Sequence, residues 1–295
     1  MWEAQLDASL ARPQVTGFYD KPTGSIQYVV ADGATRRCAI IDPVLDFDEK
    51  SGAVSTGNAD ALLAFIEESR LELEWILDTH PHADHFSAAH YLKEKTGAPT
   101  AIGDRIVDVQ ALWKAIYNWP EFRADGSQWD RLFADGEIFH IGSLPVTVLF
   151  SPGHTLASIT YVAGDAAFIH DTMFMPDSGT ARADFPGGSA VRLWSSIQRI
   201  LALPDTTRLF VGHDYQPGGR DAAWETTVAG QKRSNTHVRS PTSEADFVAL
   251  REARDKTLPM PRLILHALQV NINGGRLPEP EANGRRYLKF PLDGL

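Results

Sequence analysis

The sequence has a single cysteine, no lysine- or arginine-rich block and no long apolar run. With Cys38 alone among 295 residues, no intrachain disulfide can form, and a chain of this length can rely on its core instead. This cysteine usage fits a reducing cytoplasm. Cys38 lies in the strand-like run Arg37-Cys38-Ala39-Ile40-Ile41 and reads as a buried, inert thiol. The net charge of −10, with no basic block, excludes nucleic acid as a natural partner, because phosphate binding needs a concentrated basic face. Met1-Trp2-Glu3-Ala4-Gln5-Leu6-Asp7 lacks the basic and apolar regions of a secretory signal. No segment approaches the roughly 18 apolar residues of a membrane span. The expectation is a cytoplasmic protein without a membrane partner. Internal repeats and low-complexity linkers are also missing.

What is present is ordinary globular composition, 43% hydrophobic and 22% charged, which suits one large domain over residues 1–295. Ser25 to Val30 and Arg37 to Asp42 read as strands around an Asp32-Gly33 hairpin signal. Asn58 to Arg70 has helical spacing, with Asn58 placed to cap it. A second helix opens near Ser87 and ends at Gly97. Strands follow at 98–102, 137–141, 144–150, 158–162, 166–169 and 208–211, and helices at about 189–203, 220–233 and 243–256. Strands in series with interspersed helices predict an α/β layered architecture. Residues 104–133 are rich in aromatics and form an insertion. It is either packed on the domain by its aromatic face or is a lid or wall of the substrate pocket. Residues 241–295 form a C-terminal extension holding one apolar run, Leu263 to Val270.

Four of the strands lead to residues that can ligate a metal. Trp75-Ile76-Leu77 leads to His80, Val146 to Phe150 to His154, Ala167-Phe168-Ile169 to Asp171, and Leu209-Phe210-Val211 to His213. Loops at one sheet edge can bring such side chains together from distant sequence. His80, His82, Asp84 and His85 place four ligand-type side chains within six residues. Imidazole and carboxylate suit zinc, iron or manganese, and a set without thiolate argues against a structural zinc finger. On this reading Asp84 and His85 start the next helix, and Asp171 can bridge two metals about 3.5–4 Å apart.

Thr79-His80-Pro81-His82-Ala83-Asp84-His85, Ser151-Pro152-Gly153-His154-Thr155 and Val211-Gly212-His213-Asp214-Tyr215 resemble the metallo-β-lactamase superfamily. The resemblance covers about residues 20–240 and fills all seven ligand positions. It implies an αββα sandwich with the site at one edge of two facing sheets. In dinuclear members the first site corresponds to His80, His82 and His154, the second to Asp84, His85 and His213, with Asp171 shared.

Within the superfamily, Asp171 stands where β-lactamases have a zinc-binding cysteine. Gly179 to Phe185 and His213-Asp214-Tyr215 resemble the persulfide dioxygenases, and the whole chain is similar to bacterial β-lactamase-like hydrolases linked to sulfide-responsive regulators. Two positions depart from the dioxygenase pattern: Pro81 replaces a cysteine, and His170 precedes Asp171 where glycine is usual. The resemblance implies an iron(II) held by His80, His154 and Asp171, with His82, Asp84, His85 and His213 in support. It implies oxidation of glutathione persulfide by O2 to sulfite, with Asp84 and Tyr215 as catalytic residues and Arg182 and Tyr215 on the substrate. The alternative is a dinuclear hydrolase of a glutathione thioester, like glyoxalase II, with two zinc ions or mixed metals. A metal-dependent sulfur sensor is the non-enzymatic alternative. The sequence leaves a homodimer open.

Overall fold

The structure, a computed structural model, describes residues 12–292. The signal-peptide reading of Met1 to Asp7 lies outside them. The chain opens with strands Gln14–Asp20 (β1), Ser25–Ala31 (β2), Arg37–Ile41 (β3), Val44–Asp48 (β4) and Ala53–Ser55 (β5), then helix Gly57–Glu68 (α1). Glu72–Leu77 (β6) and Phe86–Ser87 (β7) flank the histidine-rich loop, followed by Ala89–Thr96 (α2), Thr100–Gly103 (β8), Ile106–Ile116 (α3) and Arg131–Phe133 (β9). Next come Ile138–Ile141 (β10), Leu144–Phe150 (β11), Ile159–Ala163 (β12) and Ala166–His170 (β13). Ala190–Leu201 (α4), Arg208–Val211 (β14), Glu225–Thr227 (β15), Val228–Ser234 (α5), Glu244–Asp255 (α6) and Ile264–Asn271 (α7) complete the described elements.

Two six-stranded sheets result, in the orders β1-β2-β3-β6-β8-β9 and β10-β11-β12-β13-β14-β15, with β5-β4-β7 as a small third sheet. Strand alternation explains the layers. Ile26, Tyr28 and Val30 of β2 pack in one core with Val146, Val148, Tyr161 and Phe168 of the second sheet. Val29 and Ala31 of the same strand face the other way, into a core shared with Leu62, Leu92, Trp113 and Leu268 of helices α1, α2, α3 and α7. Helix α4 covers the far face of the second sheet through Leu193, Ile197 and Ile200. The outcome is the expected α/β sandwich with helices on both outsides. Cys38 is buried, and burial pushes its thiol up to about 12, so it is inert. Among the described residues, no helix is long and apolar enough to cross a membrane.

Two expectations change and one open alternative closes. Asn58 does not cap α1: the residue before the helix is Thr56, and Asn58 instead donates its amide to Asp20 and Asp46. Residues 220–227 are not helical. Glu225–Thr227 pairs with β14, which suits its β-branched threonines, and Thr227 then caps the short α5 through its hydroxyl. The aromatic insertion is packed, not a lid: Trp113, Tyr117, Phe122 and Trp129 are all buried in the core with α7.

Between the sheets, Phe168 stacks on Phe210 at 5.2 Å and meets Tyr28 edge-on at 5.3 Å. Phe168→Ala should cost about 3–5 kcal/mol in denaturant unfolding. Ile138→Ala, on a residue 53% exposed, should cost less than about 0.5 kcal/mol. Equal costs would contradict the assigned core.

Candidate metal centre

The parallel pair β3–β6 and the run β11 to β14 carry their ligand-type residues to one edge of the two sheets. His80, His82, Asp84 and His85 lie in the loop between β6 and β7, so Asp84 and His85 do not start a helix as expected. His154 follows β11 after Ser151-Pro152-Gly153, Asp171 follows β13 directly, and His213 follows β14 after Gly212. Two glycines permit this close approach. Gly153 has φ +139°, and a Cβ there would sit 2.3 Å from the Leu193 backbone. A Cβ at Gly212 would sit 2.6 Å from Asp171 Oδ1.

The seven residues fall into distinct groups. Ligand atoms of His80, His154 and Asp171 lie within 4.8 Å of one another, and all three residues are buried. Asp171 Oδ2 is 3.8 Å from His80 Nε2 and 3.6 Å from His154 Nε2. The remaining ring nitrogens are anchored: His80 Nδ1 to the Thr79 hydroxyl at 3.0 Å, and His154 Nδ1 to the Arg182 carbonyl at 2.8 Å. Such anchoring fixes a ring for ligation by its other nitrogen. Burial keeps both imidazoles neutral, with pKa values below the usual histidine value, which leaves lone pairs available. His80 Nε2 is buried without a hydrogen-bond partner, a costly state that a cation would relieve. The donor set therefore fits a metal ion.

His213 is placed differently. Its Nδ1 lies 2.6 Å from Asp171 Oδ1 and its Nε2 lies 2.6 Å from Asp84 Oδ2, with the Ser25 hydroxyl at 3.0 Å. A carboxylate only accepts, so both ring nitrogens donate and the ring is an imidazolium. Burial opposes this charge, but Asp171 and Asp84 outweigh it and hold the His213 pKa well above its usual value. Against its own burial, Asp171 is held down at about 2, chiefly by His213.

His82, Asp84 and His85 form a second possible group, also within 4.8 Å. There His85 Nδ1 donates to the Phe86 carbonyl at 3.0 Å, and burial depresses the ring to about 4. His82 Nε2 lies 3.0 Å from Asp42 Oδ1, whose charge overcomes burial to raise His82 to about 9, yet both its ring nitrogens, like His80 Nε2, are buried without a well-formed hydrogen bond. The trio expected as a first dinuclear site, His80 with His82 and His154, is not among the groups whose ligand atoms lie within 4.8 Å, although the His80 and His82 rings are 4.2 Å apart; Asp171, expected as shared, stands with His80 and His154.

A cavity of about 500 Å³ opens over this edge, lined by His154, Asp171, His213, Arg182, Arg254 and Tyr215 among others. Arg182 gives a bidentate bond to Asp184, at 2.6 and 2.7 Å, and a third to the Pro259 carbonyl. Its fork is engaged, unlike the free carboxylate clamp expected of it. Tyr215 is 61% exposed, and its ring lies parallel to His213 at 5.7 Å. His170 bonds Ser151 and Thr172 through Nε2 and backs onto the His80 ring at 5.2 Å, behind the site as expected.

Sequence reading missed four supporting residues. Asp42 ends β3 much as His80 follows β6, and accepts from the backbone and side chain of Thr79. That strand-to-acid pattern was a usable signal. Ser25 donates to Asp84 at 2.9 Å. Arg251 and Asp255 of α6 are buried together and grip Thr180 and Ala183, on either side of the Ala181-Arg182 stretch whose carbonyl at Arg182 anchors His154. Their i,i+4 spacing on a polar helix carried no sequence signal, since it suits a solvated face equally.

The description metallo-beta-lactamase superfamily matches residues 22–213. The chain belongs to that superfamily. It is 70% identical over 287 residues to a beta-lactamase hydrolase-like protein of Xylella fastidiosa (strain 9a5c), covering 97% of this chain. The chain spans 66% of that relative's length. It is 47% identical to glyoxylase B2 of Dictyostelium discoideum, over 96% of this chain and 98% of that one. It is 27% identical to the mitochondrial persulfide dioxygenase ETHE1 of Bos taurus, over 84% of this chain and 83% of that one. The crystal structure of ETHE1 from Myxococcus xanthus is 30% identical, with a TM-score of 0.72, covering 89% of this chain and 100% of that one. The superfamily is generally enzymatic and metal-dependent, and His/Asp groups able to hold a metal are present here.

Gly153→Ala sets a Cβ 2.3 Å from the α4 backbone, so the turn must shift and stability should fall; circular dichroism checks that the chain remains folded. It should displace His154 and weaken zinc binding roughly tenfold or more in a chelator-competition titration. Unaltered zinc affinity would contradict the role given to this turn.

Proposed function

We propose that this chain is an iron(II)-dependent dioxygenase that oxidises the persulfide of a small thiol, glutathione persulfide being the candidate, to sulfite. The reaction balances as R–S–SH + O2 + H2O giving R–SH, sulfite and two protons. The observation that carries the reading is the buried trio of two neutral imidazoles and one carboxylate, His80, His154 and Asp171, whose ligand atoms lie within 4.8 Å of one another. His80, His154 and Asp171 would hold iron(II), which would supply sulfur coordination and oxygen activation. The likeness to the bovine persulfide dioxygenase and to the Myxococcus ETHE1 structure supports the same branch.

The protein's own groups do the rest. Asp84 acts through His213, keeping it charged so that it fixes one oxygen of Asp171 and leaves the other toward His80 and His154. Tyr215 lines the cavity beside His213, where its hydroxyl can donate to substrate. Arg182 builds the wall, with its guanidinium over the Phe185 ring at 5.0 Å. Arg254 lines the same cavity and makes no ion pair among the described residues. It is therefore better placed than Arg182 to meet a substrate carboxylate.

One observation favours a second reading. His82, Asp84 and His85 also converge, as a second ion would require, and a dinuclear centre would suit hydrolysis of a glutathione thioester. Anaerobically purified protein decides between them. The dioxygenase reading expects one iron per chain, O2 uptake with glutathione persulfide, and sulfite as product. Two zinc ions per chain, no uptake, and hydrolysis of S-lactoylglutathione would overturn it.

A further inference from the structure

The histidine-rich loop holds little of its own shape. Outside the strands, no backbone–backbone hydrogen bond among the described residues involves residues 80–85. A segment carrying four ligand-type side chains needs partners for its backbone from elsewhere, since unpaired buried groups are costly.

Much of that partner is one side chain. Asn271, the last residue of α7, is 2% exposed. Its Nδ2 donates to the carbonyls of His82 and His85, each at 2.7 Å. Its Oδ1 accepts from the Ser87 backbone N–H, also at 2.7 Å. Both amide donors and the acceptor are thus spent on one six-residue stretch. The three contacts lie at its beginning, middle and end, so together they fix its curvature.

Asn271 is itself held on a rigid element. Ala267, Leu268 and Val270 of α7 are buried in the outer core. The Tyr117 hydroxyl donates to the Leu265 carbonyl at 3.0 Å, and Gln110 Nε2 donates to the Ile272 carbonyl at 2.8 Å. The aromatic insertion therefore buttresses α7 from outside. Asn271 and α7 lie beyond the residues 22–213 that match the superfamily description.

We infer that Asn271 is a positioning residue of the metal centre: it sets the curvature of the 82–87 loop before any ion arrives, and so controls metal affinity from the C-terminal extension. The inference rests on the proposed metal centre, in which this loop continues directly from His80 and carries the supporting His82, Asp84 and His85. It assigns to the extension and the insertion a shared task, as the two outer supports of that loop.

The test uses the full chain, zinc as the probe, and a competing chelator as the readout. Asn271→Asp keeps the side-chain volume and the acceptor for Ser87, but replaces the two donors by lone pairs facing carbonyls. It should weaken zinc affinity by roughly 10–100-fold. Tyr117→Phe is the control. It loosens the same helix without touching the loop, so it should lower stability while leaving zinc affinity within about twofold. Wild-type affinity in Asn271→Asp, or an equal loss in Tyr117→Phe, would overturn the inference. Amide exchange on the zinc-free wild type gives a reading that does not depend on the variants folding. A Ser87 amide protected to the level of β6 is expected, and a freely exchanging one would overturn the clamp. A wild type with a protected Ser87 amide that binds no zinc would instead sink the metal-centre reading.

Discussion

His213 sits between two carboxylates, 2.6 Å from each, and the geometry of the site follows from that contact. A carboxylate has two oxygens, and a charged imidazole that takes one of them fixes the direction of the other. Asp171 Oδ1 meets His213, and Oδ2 is left facing the lone pairs of His80 and His154. The same imidazolium ties Asp84 in place through its second nitrogen, with Ser25 completing the bond set. One buried positive charge thus organises two negative ones, Asp171 buried and Asp84 part-buried. Removing His213 would leave two neighbouring carboxylates without their cation, which explains why it stands between them.

Around this contact, support for the ligands comes from both ends of the fold. The strands deliver the residues to one edge, but turns between strand and ligand set their orientation. Arg251 and Asp255 of α6 hold the 180–183 stretch, and through the Arg182 carbonyl they orient His154. Asn271 of α7 holds the loop of His82 and His85. Asp42, at the end of β3, holds Thr79, whose hydroxyl in turn faces His80. The turns bearing His80, His82, His85 and His154 thus have polar anchors from elsewhere in the fold, which is how a site on loops acquires rigidity.

The candidate ligand residues and the sandwich could both be read from the sequence because both are local patterns. Alternation marked the strands, and the dense His80 to His85 motif needed no tertiary information. The grouping of the seven residues was not legible, since it depends on where His213 and Asp42 project across the sheet edge. Arg182 illustrates the same limit: an arginine two residues from an aspartate reads equally as a clamp or an ion pair, and Asp184 takes its fork here. The insertion was ambiguous because aromatic residues suit a pocket wall and a core alike, and the docking of α7 against Trp113 and Tyr117 is a long-range event. The helix expected over 220–233 was lost at its start because pairing with β14 overrides local propensity.

Charge and burial make the two donor groups unequal. His80 and His154 are neutral, buried and anchored, with Asp171 already ionised between them. In the second group His82 is turned toward Asp42, and Asp84 is engaged by His213. On the proposed reading the first group holds one ion and the second supports it. X-ray absorption on protein loaded anaerobically with iron(II) tests this most directly. The account predicts one iron environment with two imidazoles and a carboxylate, and no iron–iron scattering. An iron–iron vector at about 3.5–4 Å would contradict it.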